Sequence, residues 1–218
     1  LEGMRMLVTA GATVEPIDPV RHLSNRSSGK MGYAIARAAA RRGAEVVLVS
    51  GPSNLEPPLD VSVINVKTTE DMKQAVFDYR ESCDVIIKAA AVSDYRPAAT
   101  AEQKIKKEKG IETIELVQTT DILAELGRSK AEGDYLLVGF AAETDDLIRH
   151  AKEKLKQKNL DLIVANDVSR TDAGFETDTN QVKLIHRDGR IEDLPLMTKN
   201  DVAQHLIDRV KELWKKAS

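Results

Sequence analysis

The chain has 218 residues, 42% hydrophobic and 31% charged, with a net charge of −3. That is ordinary globular composition, which sets aside disorder and argues against nucleic acid as the main partner. One cysteine, Cys83, leaves no disulfide framework and no cysteine-based metal site.

The length suits one domain, expected over residues 4–218, with Leu1-Glu2-Gly3 a remnant outside the fold. No apolar run approaches the ~20 residues that span a bilayer and no signal peptide is evident, so no membrane contact and a cytoplasmic setting are expected.

Residues 6–11 read as a first buried strand. Met31, Ala34, Ile35, Ala38 and Ala39 then recur at helical spacing, with Arg37, Arg41 and Arg42 opposite. The connection from Gly11 to Gly29 is about three times the usual strand-to-helix length. It carries Ser, Asn and Gly donors next to a helix N-terminus, where an anion is favoured. Residues 44–50 give a second strand and residues 61–66 a short third, with Pro-rich loop between. Thr69 is the expected N-cap of a helix with Met72, Val76 and Tyr79 on one face. Residues 84–92 form a fourth strand, too apolar to be exposed. A second long loop, residues 93–111, carries Arg96, Lys104, Lys106, Lys107 and Lys109.

Residues 111–117 alternate as an extra strand, and Asp121 opens a short helix with Ile122, Leu123 and Leu126. Residues 135–141 are a strand, Thr144 caps a helix with Leu147, Ala151 and Leu155, and the strand 160–165 ends at Asn166-Asp167. Asp188-Gly189 between two alternating runs is a hairpin signal. Thr198 and Asp201 form a capping box for the last helix. Strands alternating with helices predict a Rossmann-like doubly wound α/β fold, a mostly parallel sheet with a C-terminal antiparallel hairpin appendage. Ligands bind beyond the carboxyl ends of such strands, and both long connections open onto that edge.

The chemistry is narrowed by what is missing. Gly11-Ala12-Thr13-Val14-Glu15-Pro16 is not a dinucleotide fingerprint, and the second strand ends in Ser50-Gly51-Pro52 with no acid for a ribose. A short-chain NAD(P)-dependent reductase also needs a Tyr-x-x-x-Lys pair, whereas Tyr33 is followed by Arg37 and Tyr79 by Cys83. That reductase and a nucleotide-binding module without chemistry are the alternatives weighed. Gly29-Lys30 is not a Walker motif, because Ser24 and Met31 stand where Gly and Ser/Thr are needed. Asp94 can accept from ribose hydroxyls or hold a hydrated Mg²⁺, or simply cap a turn. Lys104, Lys106 and Lys107 are either a solvated run or part of a lid. Lys154 and Lys158 share a helical face, exposed or suited to a triphosphate. The four histidines are scattered and read as surface or structural.

These residues carry a resemblance. The segments Glu15-Pro16-Ile17-Asp18-Pro19-Val20-Arg21, Ser24-Asn25-Arg26-Ser27-Ser28-Gly29-Lys30-Met31-Gly32, Ala89-Ala90-Ala91-Val92-Ser93-Asp94-Tyr95-Arg96, Lys104-Ile105-Lys106-Lys107, Val138-Gly139-Phe140-Ala141-Ala142-Glu143-Thr144 and Ala165-Asn166-Asp167 run in order along the chain. The chain resembles the phosphopantothenoylcysteine synthetases (phosphopantothenate–cysteine ligases) of coenzyme A biosynthesis, often fused to a flavin-dependent decarboxylase. The resemblance implies that CTP activates 4′-phosphopantothenate as an acyl-cytidylate, which L-cysteine then converts to the amide with release of CMP. It assigns Asn25 to the acyl carbonyl and Lys104 to cytidylate formation. Ala89, Ala90, Asp94 and Phe140 are placed around the nucleotide, with Asp94 toward ribose or Mg²⁺. Thr120, Asp121, Ile122, Leu123, Lys154 and Lys158 are further nucleotide contacts, and Ser27 meets a phosphate. Thr120 departs from the proline frequent there. The same resemblance implies a homodimer, a flap over residues 93–111 that orders on ligand binding, and a decarboxylase domain or subunit as partner.

Overall fold

The computed structural model describes residues 1–106, 113–131, 135–143, 146–167 and 177–217. The first half runs β1 (Arg5–Ala10), β2 (Val14–Pro16), β3 (His22–Ser24), α1 (Lys30–Ala40), β4 (Glu45–Ser50), β5 (Val61–Asn65), α2 (Thr69–Tyr79), β6 (Val85–Lys88) and β7 (Tyr95–Pro97). The second runs β8 (Leu116–Gln118), α3 (Ile122–Ser129), β9 (Leu136–Glu143), α4 (Leu147–Gln157), β10 (Leu162–Asp167), β11 (Thr179–Asn180), β12 (Val182–His186), β13 (Ile191–Asp193), β14 (Met197–Thr198) and α5 (Lys199–Ala217).

An 8-stranded sheet in the order β13-β12-β10-β9-β6-β1-β4-β5 forms the centre. The strands from β10 to β5 pair in parallel, whereas β12 and β13 pair antiparallel. The predicted C-terminal antiparallel hairpin is β12–β13, added at the edge of the parallel sheet next to β10. Period-2 alternation sends Met6 and Val8 to one face and Leu7 to the other, because a parallel strand is covered on both sides. One face packs under α1 and α5, with Ile35, Val202 and Leu206. The other packs under α2, α3 and α4, with Met72, Leu126 and Leu155. Gly32 lets α1 approach β1: a Cβ there would stand 2.5 Å from that of Ala10.

Several expected boundaries move. The connection after β1 is not open loop, because β2 and β3 pair as an antiparallel hairpin inside it. Thr68, not Thr69, caps α2: its hydroxyl accepts from Asp71 N–H while the Asp71 carboxylate accepts from Thr68 N–H. The apolar run 84–92 pairs as a strand only over β6, and beyond it Ala91 makes a single bridge to Ala12. The extra strand is β8, shifted toward Gln118, and it pairs with β7. Thr144 and Lys107 through Ile111 lie outside the described residues; α4 starts after Asp146. Leu1-Glu2-Gly3 were expected outside the fold, yet Leu1 packs against the core beneath α1.

Candidate functional site

After β1 the chain turns to β4 on one side, then crosses back to β6 on the other, so the strand order reverses beside β1. A crevice at the carboxyl edge follows from such a reversal. A cavity of about 610 Å³ opens there. Its wall is assembled from the N-terminus of α1, the segments after β6 and β8, the ends of β9 and β10, and the last turn of α4. Ser28, Gly29, Lys30 and Met31 at the α1 N-terminus line this space. Gly29 caps the helix at φ 81, a left-handed conformation that glycine adopts without penalty.

Of the residues singled out in the sequence, Ser27, Ala89, Ala90, Asp94, Thr120, Asp121, Ile122, Leu123, Phe140, Lys154 and Lys158 all line this cavity. They come from five separate stretches. Asn25 stands at the rim, where its Nδ2 donates to Ala91 O and Val92 O at 3.1 Å each. Both amide hydrogens thus tie the first long connection to the second. Lys104 does not line the cavity; it is exposed, in a segment docked on the β2–β3 hairpin.

Two buried carboxylates anchor the hairpin, and one of them also holds that segment. Glu15, 2% exposed, accepts from Thr69 N–H at 2.8 Å and from Thr69 Oγ1 at 2.6 Å, so it sits on the positive end of α2. Asp18, 3% exposed, accepts from Val20 N–H and Arg21 N–H at 2.8 Å and from the Arg21 guanidinium. Its Oδ2 also accepts from Ile105 N–H at 3.1 Å, one residue beyond Lys104. The Arg21 guanidinium holds the Asp18 carboxyl well below the usual range, against burial and with help from the three N–H groups. Ala101 N–H to Ile17 O (2.9 Å) and Thr100 Oγ1 to Pro16 O (3.0 Å) extend the seam.

The cavity is cationic although the chain is not. Among the described residues Lys30, Lys88, Lys154, Lys158 and Lys199 line it, against Asp94 and Asp121. Asp121 caps α3 through Ala124 N–H (3.0 Å) and pairs with Lys158 at 2.8 Å. Burial would raise its carboxyl pKa, but these bonds and the charges of Lys158 and Lys88 lower it on balance. Lys199 is pushed down by burial and by Lys30, with Asp178 opposing. The side-chain oxygens of Asn166 (7% exposed) and Asn180 (4% exposed), which also line the cavity, are buried without hydrogen-bond partners. Unpaired buried amide oxygens in a cavity wall suit a ligand that brings donors.

Lys88, Lys199 and Asn180 were not among the residues singled out in the sequence. Only Lys88 left a signal there: a lysine ending an apolar run is out of place in a strand buried on both faces. Among the described residues no three His, Cys, Asp or Glu side chains gather as a metal cage, and no helix is long and apolar enough to cross a membrane. The reductase alternative gains no support, since the Tyr33 hydroxyl is in the core against Ser50 Oγ at 3.1 Å. Cys83 is buried, and burial raises its thiol pKa, as suits a small core residue.

Comparison with known proteins agrees with this architecture. Residues 1–213 match the DNA/pantothenate metabolism flavoprotein C-terminal domain. The chain belongs to that family. It is 48% identical over 216 residues to the coenzyme A biosynthesis bifunctional protein CoaBC of Bacillus subtilis strain 168, covering 99% of this chain and 53% of that protein. The Escherichia coli K12 protein of the same name is 47% identical over 213 residues, covering 96% and 52%. The chain thus spans about half the length of the curated relatives it matches. A crystal structure of the C-terminal domain of a CoaBC protein superimposes with a TM-score of 0.85 at 44% identity, covering 99% of this chain and 98% of that one. That structure shares the fold of this chain.

Proposed function

We propose that this chain is a phosphopantothenate–cysteine ligase that uses CTP. The observation that carries the reading is the edge cavity: five lysines face two aspartates in a protein of net charge −3, next to a helix N-terminus, in a relative of coenzyme A biosynthesis proteins. That surplus of positive charge suits a nucleoside triphosphate. The orphaned amide oxygens of Asn166 and Asn180 suit the hydroxyl or amino donors of a nucleoside. A divalent ion carried on the phosphates keeps most of its waters and needs one or two carboxylates, which the exposed Asp94 on the wall fits. Bound there, Mg²⁺ would neutralise phosphate charge.

In this reading the chain positions reactants and does little proton chemistry. The carboxylate of 4′-phosphopantothenate attacks the α-phosphorus of CTP, and the bond to pyrophosphate breaks. The amine of cysteine then attacks the acyl carbon, and the bond to CMP breaks. Lys154, Lys158 and the α1 N-terminus would hold the anionic groups, and Ile122, Leu123 and Phe140 would exclude water. Asn25 would serve the acyl carbonyl in the second step and must release one of its bonds to Ala91 O or Val92 O to do so. Lys104 would act in the first step, with its neighbour Ile105 held through its N–H by Asp18.

The reading includes a homodimer. It is supported by exposed Val20, Tyr95, Ile114 and Leu116, apolar side chains on and beside the β2–β3 and β7–β8 pairs. A CoaBC-type decarboxylase domain or subunit is the expected partner. The test is pyrophosphate release with 4′-phosphopantothenate, each nucleotide, and cysteine added or withheld. Cysteine-dependent turnover is expected with CTP, and no such turnover with any nucleotide would refute the ligase. Asn25→Ala should still form the cytidylate but pass it on about 10²- to 10³-fold more slowly. Lys104→Ala should form little of it.

A further inference from the structure

Lys88 is the charge that the parallel sheet explains least. Val85, Ile86 and Ile87 of β6 are fully buried, and the next residue brings an ammonium to the cavity wall. Among the described residues that ammonium makes one hydrogen bond, from Nζ to Ala90 O at 3.3 Å, and no ion pair. The charged groups that face it are Asp121 and Lys158, from the caps of α3 and α4, and Asp94 after β6. Asp121 is already engaged by Lys158 and by Ala124 N–H. Lys88 is half-buried at the end of a fully buried strand run, and an ammonium that lines a cavity there without an ion pair is placed to take an anion from outside the chain.

We propose that Lys88 is a ligand-binding residue whose ammonium donates a charge-assisted hydrogen bond to the phosphorylated nucleotide. This deepens the ligase reading and rests on it. The same surroundings make the group titratable in the working range. Burial pushes its pKa down to about 8, with Lys158 adding to the fall and Asp121 and Asp94 opposing it. Below that pH the ammonium is ready for an anion. Above it the amine is neutral, and binding must take up a proton, so the dissociation constant rises by up to about tenfold per pH unit. Lys199 lines the same cavity and its pKa is also lowered, so the contribution of Lys88 has to be assigned by substitution.

The experiment measures CTP binding by titration calorimetry from about pH 7.5 to about pH 9.5, where the phosphates stay ionised. The intact chain, Lys88→Met and Lys88→Arg are compared. Lys88→Met is expected to bind about 10- to 100-fold more weakly at the lower pH. Lys88→Arg should retain most of the affinity, and both variants should show a pH slope shallower by about one proton. Wild-type affinity and slope in Lys88→Met would overturn the proposal. A second measurement needs no variant. Trace acetylation of the unmodified protein, read by peptide mapping, should label Lys88, and CTP should slow that labelling several-fold. Labelling unchanged by saturating CTP would also overturn it. Binding of CTP without any effect at Lys88 leaves the ligase reading standing, whereas no binding of any nucleoside triphosphate removes both.

Discussion

The two long connections at the carboxyl edge look alike in the sequence, but they are held in opposite ways. The first, between β1 and α1, folds on itself as the β2–β3 hairpin and carries its own anchors in Glu15 and Asp18. The second, after β6, borrows its anchors. Its described part leans on Asp18, Ile17 and Pro16 of the first and on the short β7–β8 pair. A loop too polar to build an apolar core can still be rigid when a buried carboxylate collects N–H donors from its own turn. The second loop then inherits that rigidity at one point, next to Lys104.

If Asp18 is the joint between the two, Asp18→Ala should give the largest effect. Release of Ile105 displaces Lys104, and ligation is expected to fall about 10²-fold with CTP binding kept, since small misplacements near a reacting group cost that much. Equal loss of CTP binding would show that the whole edge, and not one segment, depends on Asp18. Glu15→Ala breaks the anchor that ties the first connection to α2. It should cost about 1–3 kcal/mol in urea unfolding, because Thr69 is left with unpaired buried donors.

Acid sharpens the same comparison. The Asp18 pKa is depressed in the folded chain, so its stabilisation is present above the unfolded carboxylate value of about 4 and is lost as pH falls through the folded value. The stability difference between the wild type and Asp18→Asn should stay constant from neutral pH to about pH 5 and shrink only below about pH 4. The smallest effect belongs to a cap that serves neither loop. Thr68→Ala should cost about 1 kcal/mol and leave ligation unchanged. A drop in ligation there would mean that the position of α2, through Thr69 and Glu15, also reaches the site.

Much of the site could be read before folding because it lies where strands end. Residues 89–90 and Phe140 follow from the apolar runs that carry them, and Asp121 from the cap it makes. The hairpin at β2–β3 was not legible, since three-residue strands of Val-Glu-Pro and His-Leu-Ser show no usable period. The Thr68 cap was missed by one position because Thr68 and Thr69 offer the same hydroxyl, and only the buried Glu15 separates their roles. Lys199 and Asn180 come from the C-terminal third, and no spacing rule links them to Ser27.

Local chemistry along the chain was enough to determine the alternation of strand and helix and the parallel centre with its antiparallel edge, because side-chain periodicity and turn residues act over a few neighbours; the family was legible only through the resemblance of its motif segments. What closes the cavity was decided only in three dimensions. Which lysines share it, which acids are already engaged, and that Lys88 meets no ion-pair partner among the described residues depend on crossovers that bring distant segments together. Charge interactions follow distance in space, and sequence separation does not carry that distance.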